Sequence, residues 1–176
     1  LMAKYDLIGL GNALVDSEFH VTDSFLKKNG FEKGTMHLVD GDEQTNLLNS
    51  LEKEYGKPSL ACGGSATNTI FAASILGSSC SYICKVGNDK NGNFYLNDLS
   101  DAGVNIDHSI KLDSEIGSGT CTVMVSPDAE RTMSTCLGIS SDLSASDVAE
   151  EIFSDSKLIY LEGYMMSGDD SYNACL

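Results

Sequence analysis

Ala61-Cys62-Gly63-Gly64-Ser65-Ala66-Thr67-Asn68-Thr69, running on into the apolar segment Ile70-Phe71-Ala72-Ala73-Ser74-Ile75-Leu76 and then Gly77, reads as a loop that feeds a helix N-terminus. Two adjacent glycines let the main chain approach a ligand closely, and Ser65 or Thr67 is expected to supply the oxygen that caps the helix. Asn68 then falls in the first turn, where its amide both donates and accepts toward whatever the loop cradles. A hydroxyl-rich ligand suits it best. A tight turn with an ordinary N-cap accounts for the same residues, so the loop is read together with its surroundings.

Upstream, Tyr5-Asp6-Leu7-Ile8-Gly9-Leu10-Gly11 is a short apolar run closed by glycine, the pattern of a buried strand in a parallel sheet. Ligands gather at the carboxyl ends of such strands, and Asn12 and Asp16 follow directly. The Gly9-x-Gly11 pair invites a dinucleotide-binding reading. That fingerprint needs a small residue where Leu14 stands, and a helix where Val15 to Val21 alternates like a strand, so the match fails twice.

Working outward, Ser17 to Val21 and Gly34 to Val39 read as half-polar strands of an exposed sheet, on either side of Asp23 to Gly30. Asp42 to Tyr55 is an amphipathic helix with Leu47, Leu48, Leu51 and Tyr55 on one face, stopped by Gly56 and Pro58. Cys80 to Val86 is a strand, Asn88 to Gly92 a turn, and Phe94 to Ala102 a helix ended by Gly103. His108 to Leu112, Gly119 to Ser126 and Arg131 to Cys136 are strands, the last two forming a hairpin about Pro127 to Glu130. Ser144 is expected to cap a helix over Ala145 to Phe153, Lys157 to Leu161 is a further apolar strand, and Ser167 is expected to cap a last helix. Strands alternating with helices argue for an α/β fold with a mostly parallel sheet flanked by helices, and the polar strands argue for a small appended sheet.

The 176 residues are 41% hydrophobic, enough for one domain with a core. Eleven Lys and Arg stand against 26 Asp and Glu, a net charge of −15, so the surface field repels nucleic acid and anionic lipid and a phosphate site must be built locally. The start, Leu1-Met2-Ala3-Lys4-Tyr5-Asp6, shows no long apolar leader, and nowhere do 18 apolar residues run together, from which a soluble cytoplasmic protein is expected. The six cysteines are expected to be free thiols, four of them on strands or helices, and their spacing, with Cys80 and Cys84 on one strand face, does not suit zinc. His20, His37 and His108 are scattered singly on different strands, which suits solvated positions better than metal ligands; no metal site is expected.

Five ordered motifs then carry a resemblance: Gly11-Asn12-Ala13-Leu14-Val15-Asp16, Gly63 to Thr69, Val86-Gly87-Asn88-Asp89-Lys90-Asn91-Gly92, Gly119-Thr120-Cys121, and Leu161-Glu162-Gly163-Tyr164. From Tyr5 to about Met166 the chain resembles the ribokinase-like, or phosphofructokinase-B (PfkB), family of carbohydrate and nucleoside kinases, with adenosine-kinase-like features. The resemblance implies a ribokinase-like fold with a small β-sheet lid, its strands at about 17–39 and 107–136, and residues 1–176 as the N-terminal, substrate-binding part of one kinase domain. It implies that Asp16 and Asn12 bind sugar hydroxyls, that Gly63 and Gly64 contact the sugar beside Asn68, and that Arg131 approaches the transferred phosphate. Leu14, Leu38, Cys121, Met133 and Tyr164 fall near positions that line the base pocket of adenosine kinases, although alternating strand residues face a core more often than a pocket. Sugar and nucleoside therefore stay open as substrates.

The family's Gly-Ala-Gly-Asp motif, which carries the catalytic base and the anion hole, does not occur in this sequence. The chain is therefore expected to be about the first half of a kinase that uses ATP and Mg²⁺, to bind neither strongly by itself, and to be inactive without the missing C-terminal half, supplied in cis or as another chain. A homodimer through the lid is a further possible assembly, and an apolar, unpaired strand edge is expected where the fold is cut. The competing class is a non-enzymatic module, a degenerate kinase that binds sugar or nucleoside and never consumes ATP.

Overall fold

A computed structural model describes residues 3–176; Leu1 and Met2, where the reading of the start begins, lie outside the described residues. The strands are β1 (Tyr5–Leu10), β2 (Leu14–His20), β3 (Met36–Leu38), β4 (Ser59–Gly63), β5 (Cys80–Ile83), β6 (Lys85–Gly87), β7 (Ile110–Leu112), β8 (Gly119–Val125), β9 (Arg131–Cys136) and β10 (Ser156–Leu161). The helices are α1 (Asp23–Lys28), α2 (Gly41–Tyr55), α3 (Ser65–Ile75), α4 (Lys90–Asp101), α5 (Glu151–Ser154) and α6 (Asp169–Ala174). Among the described residues no helix is long and apolar enough to cross a membrane.

A parallel sheet in the order β10-β1-β5 forms the centre, with β1 in the middle as its apolar run requires. Both faces of β1 and β5 are covered. On one, Ile70 of α3 and Tyr95 and Leu99 of α4 bury Tyr82, Cys80 and Cys84; on the other, Ile8, Leu10 and Ile83 meet Leu143, Ile152 and Met165. The edge strand β10 is open on its far side, and Leu158 and Ile159 are 65% and 49% exposed there.

A second sheet runs β3-β9-β8-β2-β4. It is mixed, since β2 lies parallel to β8 and antiparallel to β4. One of its faces carries Phe19 and Met124 against Phe25, Leu26 and Leu51 of α1 and α2, and buried Gln44 ties α2 to this face by hydrogen bonds to Thr122 and Ser134. Among the described residues no helix packs on the other face, which looks toward the loop after β4.

Several local expectations are corrected. β4 takes in Ala61-Cys62-Gly63, which were expected in the loop, and joins the second sheet by pairing with β2. The strand expected over His108 to Leu112 is the shorter β7, which pairs with β6 beside the central sheet, and His108 lies in the turn before it. The strand at Cys80 to Val86 breaks at Cys84, so that β5 pairs with β1 while β6 takes β7. α4 begins inside the expected turn, since the Asp89 carboxylate accepts from Gly92 N at 2.8 Å and starts the helix there. The helix expected over Ala145 to Phe153 is two pieces, a 3₁₀ turn at Ala145–Asp147 and α5. Asp147 does form the capping box with Ser144, but its Oδ2 is also held at 2.7 Å by the buried Lys85 Nζ, and Val148 is extended. Ser167 ends a 3₁₀ turn instead of capping α6, its hydroxyl donating back to Tyr164 O.

Candidate functional site

The carboxyl ends of β1, β4 and β10 converge. β1 delivers Asn12, β4 delivers Gly63-Gly64 and the start of α3, and β10 delivers Glu162, which is 3% exposed. Glu162 Oε1 accepts from Asn12 N at 2.7 Å and Asn12 Nδ2 at 2.8 Å, while its Oε2 accepts from Ser65 Oγ at 2.8 Å and Ala66 N at 3.0 Å. A carboxylate satisfied by four donors holds its charge in a buried place. It also decides which way the Asn12 amide faces, because only the NH₂ end can meet a carboxylate; Asn12 Oδ1 is left as the acceptor.

The same carboxylate explains the helix start. Gly64, not Ser65 or Thr67, is the N-cap of α3, and no side chain caps it. Ser65 and Ala66 spend their first-turn donors on Glu162, and the Thr67 hydroxyl turns inward to Tyr95 Oη. The glycines have separate tasks. A Cβ on Gly63 would sit 2.0 Å from Asp16 Oδ1, so Gly63 leaves room for that carboxylate; Gly64 has φ +108° and passes so near Asn12 O that a Cβ would come within 2.6 Å.

Between this loop and the free face of the second sheet lies a cleft of about 270 Å³. Alternation along the strands sends Asp16, Cys121, Arg131 and Met133 to the cleft side, and buried Thr122, Thr132 and Ser134 to the opposite one. Of the residues singled out from sequence, Asn12, Leu14, Asp16, Leu38, Gly64, Asn68, Cys121, Arg131, Met133 and Tyr164 line the cleft; Gly63 does not and lies behind Asp16. Met36, Thr135, Leu137 and Glu162 also line it and were not singled out, and so do Ser65 and Ser167, which were expected only as helix caps. Glu162 appeared in the sequence only as part of a motif. The usable signal was a charged residue straight after the apolar run Leu158-Ile159-Tyr160-Leu161.

Asp16 is half-buried, and its carboxylate has no hydrogen-bond partner among the described residues. Burial pushes its carboxyl up to about 6, with the Arg131 charge pulling it down and Glu18 pushing it up by less. Cys121 accepts from Thr135 Oγ1 at 3.4 Å, and burial pushes its thiol up to about 11, so it is a neutral, apolar part of the wall. The site therefore has two ends. Asn12, Asp16, Ser65 and Asn68 offer hydrogen-bonding groups, while Leu14, Met36, Leu38, Met133 and Leu137 offer apolar surface, and Arg131 is the cation among the lining residues.

Residues 36–175 match the model of the pfkB family of carbohydrate kinases. The chain belongs to this family. Adenosine kinase of Saccharomyces cerevisiae is 29% identical to it over 168 residues, 92% of this chain and 48% of that one. The crystal structure of adenosine kinase from Sinorhizobium meliloti aligns at a TM-score of 0.88 and 35% identity over 98% of this chain and 51% of that one. A probable sugar kinase from Rhizobium etli CFN 42 aligns at 0.88 with 32% identity and the same coverage. The chain spans about half the length of these pfkB-family relatives.

In this pfkB-family chain Glu162 is the common fastening of three strand ends, and its amide isostere is a sharp test. Glu162→Gln keeps the shape but turns an NH₂ toward one pair of donors, leaving a buried donor–donor conflict worth about 2–4 kcal/mol. Denaturant titration of the intact protein is expected to show a lower midpoint at unchanged slope, together with weaker ligand binding. A midpoint equal to that of the parent would remove Glu162 from this role.

Proposed function

We propose that this chain is the substrate-binding and lid portion of a nucleoside kinase, which transfers the γ-phosphoryl group of ATP to a primary hydroxyl of the nucleoside. The observation that carries the reading is the two-ended cleft: hydroxyl-seeking groups at Asn12, Asp16 and Asn68, and a wall of Leu14, Met36, Leu38 and Met133 opposite. A free pentose would leave that wall bare. A nucleoside would set its ribose on the polar end and its base against the apolar one, as the neighbouring adenosine kinases encourage.

In this reading the free face of β2, β8 and β9 acts as the lid. Asp16 and Asn12 accept from ribose hydroxyls, the apolar wall excludes water, and Arg131 meets the negative charge that spreads over the transferred phosphoryl group. The cleft lining fits the nucleoside and one phosphoryl group but holds a single cation, too few donors for a triphosphate. ATP, with Mg²⁺ neutralising its phosphates, is accordingly assigned to residues beyond this chain. The open edge of β10, with Leu158 and Ile159 exposed, is where that remaining half would continue the sheet, in cis or as a second chain.

Calorimetric titration of the intact protein with adenosine and with ribose tests the reading. Covering roughly 100 Å² of base at about 25 cal/mol/Å² favours adenosine by close to two orders of magnitude. Equal affinities would return the site to free sugars. Nucleoside binding without any ATP-dependent product would leave a binding module in place of a kinase.

A further inference from the structure

The Gly9-x-Gly11 pair, which does not complete the dinucleotide fingerprint, has a use in the fold. β1 and β5 run side by side with Gly9 opposite Tyr82, a core residue with no exposed surface. A Cβ on Gly9 would lie 3.0 Å from the Tyr82 ring and 2.5 Å from Ile70 Cγ1, and a Cβ on Gly11 would lie 2.6 Å from Tyr82 Oη. The phenol thus lies along β1 over both glycines, and its hydroxyl ends under the binding loop, where it donates to Asn12 O at 3.2 Å.

Tyr95 reaches the loop from α4 in the same manner. Its hydroxyl shares a hydrogen bond with Thr67 Oγ1 and donates to Gly63 O at 3.4 Å. Both rings are in the apolar core, where a phenylalanine would fill the same space without a polar atom to satisfy. The hydroxyls end on the main chain of Asn12 and Gly63: the first carries the amide that faces the cleft, and the second makes room for Asp16. Burial raises both phenols well above their usual range, so they stay protonated as donors.

We propose that Tyr82 and Tyr95 are positioning residues for substrate-hydroxyl recognition, fixing the backbone of Asn12 and Gly63 from beneath without touching the ligand. The proposal rests on the cleft being the nucleoside site. It predicts that removing the two phenol oxygens weakens recognition of ribose hydroxyls and spares recognition of the base.

The test compares affinities of the intact protein for adenosine and 2′,3′-dideoxyadenosine in the parent, Tyr82→Phe, Tyr95→Phe and the double variant. The expected result is a dideoxynucleoside affinity within about twofold of the parent and an adenosine affinity lower by roughly fivefold per hydroxyl removed, so that the ratio collapses in the double variant. Thr67→Val, which breaks the Tyr95 chain from its other end with both rings kept, is expected to lower the ratio likewise. Variants that lower the melting temperature but keep the parent ratio would overturn the proposal and leave the tyrosines as packing. The same ratio taken with D-ribose against 2-deoxy-D-ribose separates the two readings. A parent that ignores nucleosides but discriminates these sugars overturns the nucleoside assignment alone, and the variants' sugar ratio then decides the tyrosines. A parent blind to hydroxyls in both pairs overturns both.

Discussion

Under the proposed function, Arg131→Ala in the intact protein is expected to lower turnover by roughly a hundredfold or more while leaving nucleoside affinity at pH 8 within about threefold. Arg131 begins β9 just after the turn at Pro127 to Glu130, in which Ala129 takes φ +66°, and it is exposed at the rim of the cleft. In a chain of net charge −15, an approaching phosphoryl group meets one guanidinium among the lining residues. An interaction that strengthens as charge spreads over the transferred group acts on turnover more than on binding, because the bound nucleoside carries no charge for it to meet. Arg131→Lys is expected to recover only part of the loss, since an ammonium lacks the planar fork that spans two oxygens. Steady-state kinetics with saturating nucleoside decide the matter: parental turnover in Arg131→Ala would return the residue to the solvated surface.

Asp16→Asn is expected to cut catalytic efficiency at pH 7.5 by at least tenfold and yet to raise stability at that pH. The efficiency falls because the neutral amide replaces a carboxylate that takes two hydroxyl donors, a loss of roughly 1.5–3 kcal/mol. The stability rises for a different reason. The folded carboxyl titrates at about 6, against 3.8 as the ordinary value, so between those limits the folded state holds a proton that the unfolded chain has released. Stability from this group therefore falls as pH rises through that window, and the full penalty, about 1–2 kcal/mol after allowance for partial exposure, is present above pH 6. The substitution removes the penalty at pH 7.5 and changes little near pH 4. Ligand affinity runs the other way, strengthening as pH rises through about 6 and the carboxylate becomes the acceptor. Melting curves and titrations at the two pH values check both signs. A variant less stable at pH 7.5 with parental efficiency would make Asp16 structural.

Under the proposed function, these opposite trends would describe a group whose place in the fold is kept for binding. Gly63, which gives up its side chain so that Asp16 Oδ1 can occupy the space in front of it, belongs to the same arrangement. So does Glu162, whose four accepted hydrogen bonds hold Asn12 and the start of α3 in place while the Asp16 carboxylate has no partner among the described residues. One acid is satisfied by protein and fixes the loop; the other is, in the proposed reading, the acceptor for donors of the ligand.

The sequence by itself determined the α/β class, the apolar β1 run at the centre of a parallel sheet, the α2 face of Leu47, Leu48, Leu51 and Tyr55, the positions of Asn12 and Asp16 after the β1 run, and that of Asn68 in the first turn of α3. All of these rest on short-range pattern: periods of 2 and 3.6 residues, glycine stops, and polar residues that follow apolar runs. It did not reveal β4, whose Leu60-Ala61-Cys62 core is too short and too polar in its flanks to stand out, and which is a strand because β2 pairs with it. Nor did it foresee that Ser65 and Thr67 would leave the cap of α3 empty, since the donors and acceptors that compete for them come from Glu162, 97 residues away, and from Tyr95. The glycine pair of β1 read as a failed nucleotide fingerprint, because the Tyr82 ring that needs the space is 71 residues beyond Gly11. Local pattern sets which segments are strands and helices; which hydrogen bond each polar group makes is decided by neighbours that only the folded chain brings within 3 Å.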